Sequence, residues 1–354
     1  MKTSHNFFSN LAFNLAENHI GRTGTNPSVG CIVVKNNSVI STGITSINGR
    51  PHAEFNALNK NINFKDSEMY LTLEPCTHYG KTPPCTDLIK RKKIKQVYYS
   101  YDDPDLRTIK NAKKILKKKI KKIKISSKNL NFYKSYYLNK LKKLPLIDAK
   151  IAFSKDNFTI NRKSKWITNF RSRKVVHLIR SKYDCIISTS KTINKDNSLL
   201  NCRLDGLNNY KPDLIIIDRN LRLKKKLKLF NLTNKRRTYI VTTSNNHKKI
   251  SFFKLKKIKI IQLSSLKYKE DFDYLFRILF KKGRRRLLVE SGLIFLKTLL
   301  NFKLLNHLYI FKSDQKLEKD GFNNIKMTGL FKLSNSKKIE INLDKDKLYE
   351  MRLK

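Results

Sequence analysis

Two of the chain's five cysteines stand nine positions apart in LEPCTHYGKTPPC, Leu73 to Cys85, and each follows a proline. Upstream, PHAEF sets His52 and Glu54 two positions apart, where Pro51 opens a helical pattern. Three readings compete for the cysteine pair: a disulfide, a metal site, or coincidence. The choice constrains the fold, because a metal would require donors 24 positions apart, His52 and Cys76, to meet.

Composition narrows the field. At 354 residues the chain is long enough for two domains, each with its own core. A hydrophobic content of 40% suits a globular protein, and no apolar run approaches the ~20 residues that span a bilayer. The start, MKTSHNFFSNLAFNLAENH, is broken by polar residues and lacks a signal-peptide core. A cytoplasmic protein without membrane association is expected. In that reducing compartment Cys31, Cys76, Cys85, Cys185 and Cys202 should be thiols or metal ligands rather than a disulfide framework.

A net charge of +50 would suit nucleic acid. Yet the lysines are spread along most of the chain beside abundant Asn and Ile, a mixture that an AT-rich genome favours. Lys110 to Lys124 holds nine lysines and no acid, but its apolar residues keep helical spacing and then alternate. That pattern reads as the solvated faces of a helix and a strand. No specific nucleic-acid partner is expected. Small phosphorylated substrates would be drawn to the same field, and homo-oligomerisation is left open.

The first third alternates in type. Phe7–Asn18 has helical spacing, VGCIVVKNN reads as a strand, and SVISTGIT as its hairpin partner. A short helix over His52–Asn59, a buried strand Met69–Leu73, a helix Thr86–Lys92 and a strand Gln96–Tyr101 follow. The order β-β-α-β-α-β-α-β implies a sheet covered by helices. A polar, Tyr-rich stretch from Ser126 to Lys143 ends at Pro145, where the boundary between domains 1–145 and 146–354 is placed. Beyond it the runs LIDAKIAF, DCIISTS, DLIIID, TYIVTT, IKIIQL, RLLVES and HLYIFK read as strands. Helical patterns at Asn169–Arg180, Glu270–Lys282 and Ile294–Phe302 lie between several of them, so a second α/β domain is expected.

His-x-Glu followed by Pro-Cys and a further Cys is the signature of the zinc deaminases. One imidazole and two thiolates hold zinc and leave its fourth position to water. Zinc lowers that water's pKa, and a carboxylate that is not a ligand shuttles the proton. His52, Cys76 and Cys85 are therefore the candidate ligands and Glu54 the candidate shuttle. Alone, each half of the pattern is common; the combination is not. The common form puts two residues between the cysteines, whereas THYGKTPP supplies eight and brings His78 and Lys81 to the rim.

NPSVGCIVV, PHAE and LEPCTHYGKTPPC together closely resemble the deaminase domain of the bifunctional riboflavin-biosynthesis deaminase/reductase family. The second half carries marks similar to the partner domain: SKWIT at Ser164–Thr168, the helix ending at Arg180, TINKDNSLLNCR, and VESG. The resemblance implies a cytidine-deaminase-like α/β/α domain followed by a dihydrofolate-reductase-like α/β domain. It implies removal of an amino group from a phosphoribosylated diaminopyrimidinone, then NADPH-dependent reduction of the ribosyl group to ribityl. It also implies site residues. Asn26 would bond the pyrimidine and Lys81 the phosphate. Ala152, Trp166, Thr192, Asp196 and the segment from Gly292 match positions that contact NADP. Ser164, Arg180, Leu200, Arg203 and Glu290 match positions that contact the reductase substrate.

The chain also departs from that pattern. Asn157 stands for a glycine, Asn197 and Ser198 for an aspartate and a proline, and Asn306-His307 for an Asp-Glu pair. Thr45 replaces a histidine, and a glycine pair after Asp103 is gone. These departures leave the zinc chemistry untouched and bear on cofactor affinity and reductase competence. Two rivals stand beside this reading: a nucleic-acid deaminase and a non-catalytic protein with a structural zinc. Neither predicts NADPH binding.

Overall fold

The computed structural model describes residues 5–207, 210–325 and 333–354. The chain forms two compact units, Met1–Lys143 and Leu144–Lys354.

The first unit runs α1 (His5–Glu17), β1 (Gly30–Lys35), β2 (Ser38–Ile44), α2 (Ala53–Leu58), β3 (Glu68–Leu73), α3 (Cys85–Arg91), β4 (Gln96–Tyr101), α4 (Asn111–Leu116), β5 (Ile120–Lys122) and α5 (Lys134–Tyr137). Its five-stranded sheet has the order β2-β1-β3-β4-β5. β1 pairs antiparallel with β2 and β3; β3, β4 and β5 are parallel. Asn36 and Asn37, both at positive φ, close the β1–β2 hairpin, as its right-handed twist requires.

Alternation along the strands sends residues to two cores. Ile32, Val34, Tyr70 and Tyr98 pack with Phe8 and Ala12 of α1. Cys31, Val33, Met69, Leu71 and Val97 pack with Ala53 and Ala57 of α2 and Ile89 of α3. Two glycines set how closely the helices approach. A Cβ on Gly30 would lie 1.9 Å from the Ala12 carbonyl oxygen; one on Gly43 would lie 2.1 Å from that of Ala53. Both are shorter than any non-bonded contact, so α1 and α2 rest directly on the sheet backbone.

The second unit continues with β6 (Leu146–Phe153), β7 (Ile160–Asn161), α6 (Phe170–Ser181), β8 (Cys185–Thr189), α7 (Ser190–Asp196), β9 (Asp213–Ile217), β10 (Thr238–Thr242) and α8 (His247–Leu255). It closes with β11 (Lys259–Gln262), α9 (Lys269–Lys281), β12 (Arg286–Glu290), α10 (Leu293–Asn301), β13 (His307–Lys312), β14 (Gly321–Phe322), β15 (Lys337–Ile339) and β16 (Lys347–Arg352). Nine strands form one sheet, β11-β10-β9-β8-β12-β6-β13-β16-β15, parallel up to β13 and antiparallel beyond. Ile147, Ala149, Ile151 and Phe153 of β6 join the core beneath α9 and α10. Asp148, Lys150 and Ala152 therefore face the opposite side, where α6 packs.

α7, α8 and β16 carry no clear sequence period. In α7 only Ser190 and Ile193 are buried, in α8 only Ile250 and Phe253, and in β16 Leu348 and Met351, an odd number of residues apart. The departures also find physical accounts. Asn157 adopts φ 67, a conformation that asparagine tolerates in place of glycine. Asn306 and His307 lie at the amino end of β13, the far edge from strand carboxyl ends. There the Asn306 side chain accepts the Ile147 N–H at 2.9 Å, and His307 Nδ1 lies 2.9 Å from Asp148. No helix among the described residues is long and apolar enough to cross a membrane.

Gly43→Ala is expected to force α2 away from β2, costing about 1–3 kcal/mol, the usual range for overpacking. Urea unfolding measures that cost, and metal analysis should show less bound zinc because His52 moves with α2. Unchanged stability and metal content would contradict the packing described.

Candidate active sites

In the first unit three elements converge. His52 is the residue before α2, in extended backbone; Cys76 follows β3; Cys85 opens α3 directly after Pro84. His52 Nδ1 lies 3.6 Å from Cys76 Sγ and 3.5 Å from Cys85 Sγ. A tetrahedral zinc with ordinary Zn–N and Zn–S bonds has an N···S edge of about 3.6 Å. The donor set fits the ion in type and spacing.

The Cys85 backbone N–H points at Cys76 Sγ, 3.3 Å away. A hydrogen bond from the Cys85 thiol lowers Cys76 to about 4, against burial and with help from His52. That same bond, then burial, pushes the Cys85 thiol up. Glu54, on the first turn of α2, is 4% exposed. Burial first, and then the charge on Cys76, push its carboxyl up to about 7. Cys31, Cys185 and Cys202 are buried and belong to no metal-ligating group among the described residues.

Around this centre Asn26 donates from Nδ2 to the Gly49 carbonyl at 2.8 Å, bracing the turn that leads into His52. Arg50 bonds Thr82 Oγ1 at 2.7 Å and so ties the eight-residue loop to the same turn. Lys81 is exposed on that loop, and His78 Nδ1 lies 3.1 Å from Thr108 Oγ1. Lys110, where a glycine is missing, takes φ 58; its N–H and that of Ala112 are held by the Glu74 carboxylate.

In the second unit the expected residues fall into three neighbouring groups. Arg180 of α6 and Glu290 of β12 form a two-bond ion pair, Nε to Oε1 at 2.5 Å and Nη2 to Oε2 at 2.9 Å. Burial would raise the Glu290 carboxyl, but Arg180 and then Lys150 hold it down at about 2. Arg180 is thus committed to a carboxylate rather than free for a phosphate. Its Nη1 also bonds the Asn201 carbonyl at 3.0 Å, beside Leu200 and Arg203. The Leu200 side chain is committed to the core with Ile193 and Leu214, whereas Arg203 is exposed and donates to Asn201 Oδ1 at 2.5 Å.

A second group joins Thr192 to Gly292, whose N–H donates to Thr192 Oγ1 at 3.2 Å where α10 begins. Space above Gly292 is open: a Cβ there would meet nothing nearer than 3.9 Å, leaving room for a cofactor. The third group is Ser164 and Trp166, which line a cavity of about 420 Å³ with Thr168, Ser313 and Gln315. Trp166 is 48% exposed with the Arg173 guanidinium 4.5 Å from its ring centre, so it is not a core tryptophan. Lys165 reaches from this loop to the Asp196 carbonyl. Ala152 packs with Val176 and Phe311, so its side chain is committed.

Lys150 escaped the sequence reading. Its Nζ lies 3.7 Å from Glu290 Oε2, and the Asp196 charge also acts on it. Burial lowers its pKa, with Glu290 opposing. The available signal was a lysine inside the apolar run LIDAKIAF, because a buried lysine needs a partner.

Residues 2–101 match the model of the cytidine and deoxycytidylate deaminase zinc-binding region, and residues 145–312 that of the RibD C-terminal domain. The riboflavin biosynthesis protein RibD of Buchnera aphidicola is 32% identical over 330 residues, 86% of each chain. The chain belongs to the RibD family. The Aquifex aeolicus RibD is 33% identical over 249 residues, 68% of this chain and 69% of its own. A Thermotoga maritima diaminohydroxyphosphoribosylaminopyrimidine deaminase/5-amino-6-(5-phosphoribosylamino)uracil reductase shares the fold at TM-score 0.81, with 27% identity over 98% of each chain. As a RibD protein the chain is a bifunctional deaminase and reductase of riboflavin biosynthesis, with zinc and NADPH as cofactors.

The Arg180–Glu290 pair has a pH signature. Glu290 is depressed in the folded state, so its contribution is present above the unfolded carboxyl value of about 4.3 and lost as pH falls through about 2. Glu290→Gln should cost about 3–5 kcal/mol at neutral pH, because Arg180 is left buried and unpaired. Urea unfolding from pH 7 downward should show that cost shrinking at low pH; a constant difference would contradict the pairing.

Proposed function

We propose that residues 1–145 deaminate diaminohydroxyphosphoribosylaminopyrimidine, and that residues 146–354 reduce the ribosyl group of the resulting 5-amino-6-(5-phosphoribosylamino)uracil. The observation that carries the first step is the set of 3.5 and 3.6 Å spacings between His52 and the two sulfurs, with Glu54 buried beside them. His52, Cys76 and Cys85 hold zinc, which supplies the Lewis acidity that makes water a nucleophile near neutral pH. Glu54 takes a proton from the attacking water and returns one to the amine, so ammonia leaves as the ring carbon gains an oxygen. Burial suits the role, since a carboxyl displaced upward exchanges protons readily near neutral pH. Asn26 orients the pyrimidine, and Lys81 meets the phosphate from the exposed loop.

Reduction of ribosyl to ribityl adds a hydride and a proton. Thr192, Asp196, Trp166, the Ala152 backbone and the turn at Gly292 would hold NADPH, which would supply the hydride. Strand carboxyl ends are where open α/β sheets bind ligands, and these residues lie there. Ser164, the Leu200 backbone, Arg203 and the Arg180–Glu290 pair form the substrate side. Lys150, with its Nζ 3.7 Å from Glu290 Oε2, is the residue that would hold the proton. Arg203 is the exposed arginine that a substrate phosphate can reach.

Both half-reactions should be measured on the full chain, with the deaminated pyrimidine supplied directly for the second. Glu54→Gln should lower ammonia release by roughly 10²–10⁴-fold, the usual worth of acid–base catalysis, while keeping zinc and NADPH oxidation. Lys150→Met should do the reverse. Near-normal ammonia release from Glu54→Gln would sink the mechanism, and loss of both activities in both variants would argue for one composite site.

A further inference from the structure

The segment that follows α7, residues 197–203, carries Leu200 and Arg203 without forming a helix or strand of its own. Two residues bend it through the left-handed region, Asn197 at φ 44 and Leu200 at φ 46. Asparagine tolerates that conformation, but leucine does not adopt it unaided. Something outside the segment must hold it.

The carbonyls show what does. Arg236 lies just before β10, far along the chain, and is 6% exposed. Its Nη1 donates to the Leu200 carbonyl at 2.5 Å and to the Pro212 carbonyl at 3.3 Å; its Nη2 donates to the Leu199 carbonyl. From the opposite side α6 grips the next residue, with Arg180 Nη1 and His177 Nδ1 each 3.0 Å from the Asn201 carbonyl. Asn201 Oδ1 then receives Arg203 Nη1 at 2.5 Å. Hydrogen bonds therefore run from a buried guanidinium through the backbone of residues 199–201 to an exposed one. Burial, aided by the charge on Arg180, lowers Arg236 to about 10, which still leaves it protonated at neutral pH. Without those carbonyls its charge would keep only the field of Asp213 and no hydrogen-bond acceptor, so guanidinium and loop conformation stabilise each other.

We propose that Arg236 is a positioning residue of the reductase, fixing the loop that is anchored in the core by Leu200 and presents Arg203, and thereby setting the affinity for the pyrimidine substrate. This rests on the reading of that loop as a substrate contact. Arg236 itself sits behind the loop, within the protein.

The test uses the full chain and steady-state reduction of the deaminated pyrimidine. Arg236→Met, Arg236→Lys, Arg203→Ala and the double variant Arg203→Ala/Arg236→Met are compared. Arg236→Met should raise the pyrimidine KM roughly ten- to a hundredfold, the worth of lost hydrogen bonds to a charged group. The KM for NADPH and the rate of ammonia release should hold. Arg236→Lys, which keeps the charge and fewer donors, should recover part of the loss. In the Arg203→Ala background Arg236→Met should add little, because residues acting through one another are not additive. Suppose Arg203→Ala raises the KM but Arg236→Met does not, or adds its full effect in the double variant. The inference is then overturned, while the loop remains a substrate contact. Unchanged KM in Arg203→Ala removes the loop from the substrate site, and the inference falls with it. Should Arg236→Met fail to bind NADPH, showing a collapsed domain, Arg236→Lys carries the same comparison.

Discussion

At Gly43 the backbone of α2 comes down onto β2 with no side chain between them, and the candidate zinc site depends on that contact. The absence of a Cβ at Gly43 lets the Ala53 carbonyl come down onto the strand. His52 and Glu54 flank Ala53, so the depth of α2 fixes the height of both above the sheet. The cysteines arrive from the other direction: β3 delivers Cys76 and the start of α3 delivers Cys85, whose N–H faces Cys76 Sγ. Three donors separated along the chain then meet at the spacing of a tetrahedral metal. The same packing buries Glu54 and pushes its carboxyl up to about 7.

The second unit solves a different problem. Its candidate site residues are organised around a buried ion pair, Arg180 with Glu290. Arg180 is satisfied by Glu290 and by the Asn201 carbonyl, so it organises its neighbours instead of waiting for a phosphate. Around it Lys150 and Arg236 gain partners, which is how charged groups survive burial, while burial and then the Arg180 charge lower His177 to about 4 and leave it neutral. Single changes here should act through neighbours.

How much of this is legible in the sequence depends on what each residue is asked to do. The candidate zinc ligands, which the fold brings together, are legible because metal chemistry admits few side chains and the helix and strand beside them have clean periods. β6, β8, β9, β10, β12 and β13 are legible because strands buried on both faces read as apolar runs. α7 and α8 are not, since each buries only two residues and the rest face water. Lys150 and Arg236 are hidden for another reason. Lys150 leaves one trace, its place inside the apolar run LIDAKIAF, but among 77 basic residues nothing local separates Arg236 from the many that are solvated. Asn157, Lys110 and Asn306-His307 look damaging in sequence, yet each is absorbed: asparagine takes a left-handed turn, Glu74 grips a loop that lost its glycines, and Asp148 pairs with His307.

The central claim is that one imidazole and two thiolates from this chain hold a single open zinc centre beside a buried carboxyl. X-ray absorption at the zinc edge of the purified protein, with metal content measured on the same sample, tests it most directly. The account predicts one zinc per chain, two sulfurs at about 2.3 Å and two nitrogen or oxygen neighbours at about 2.0–2.1 Å. Three or four sulfurs would mean that Cys31, Cys185 or Cys202 completes a closed site. A shell without sulfur would mean that the metal sits elsewhere. Either result would contradict the account.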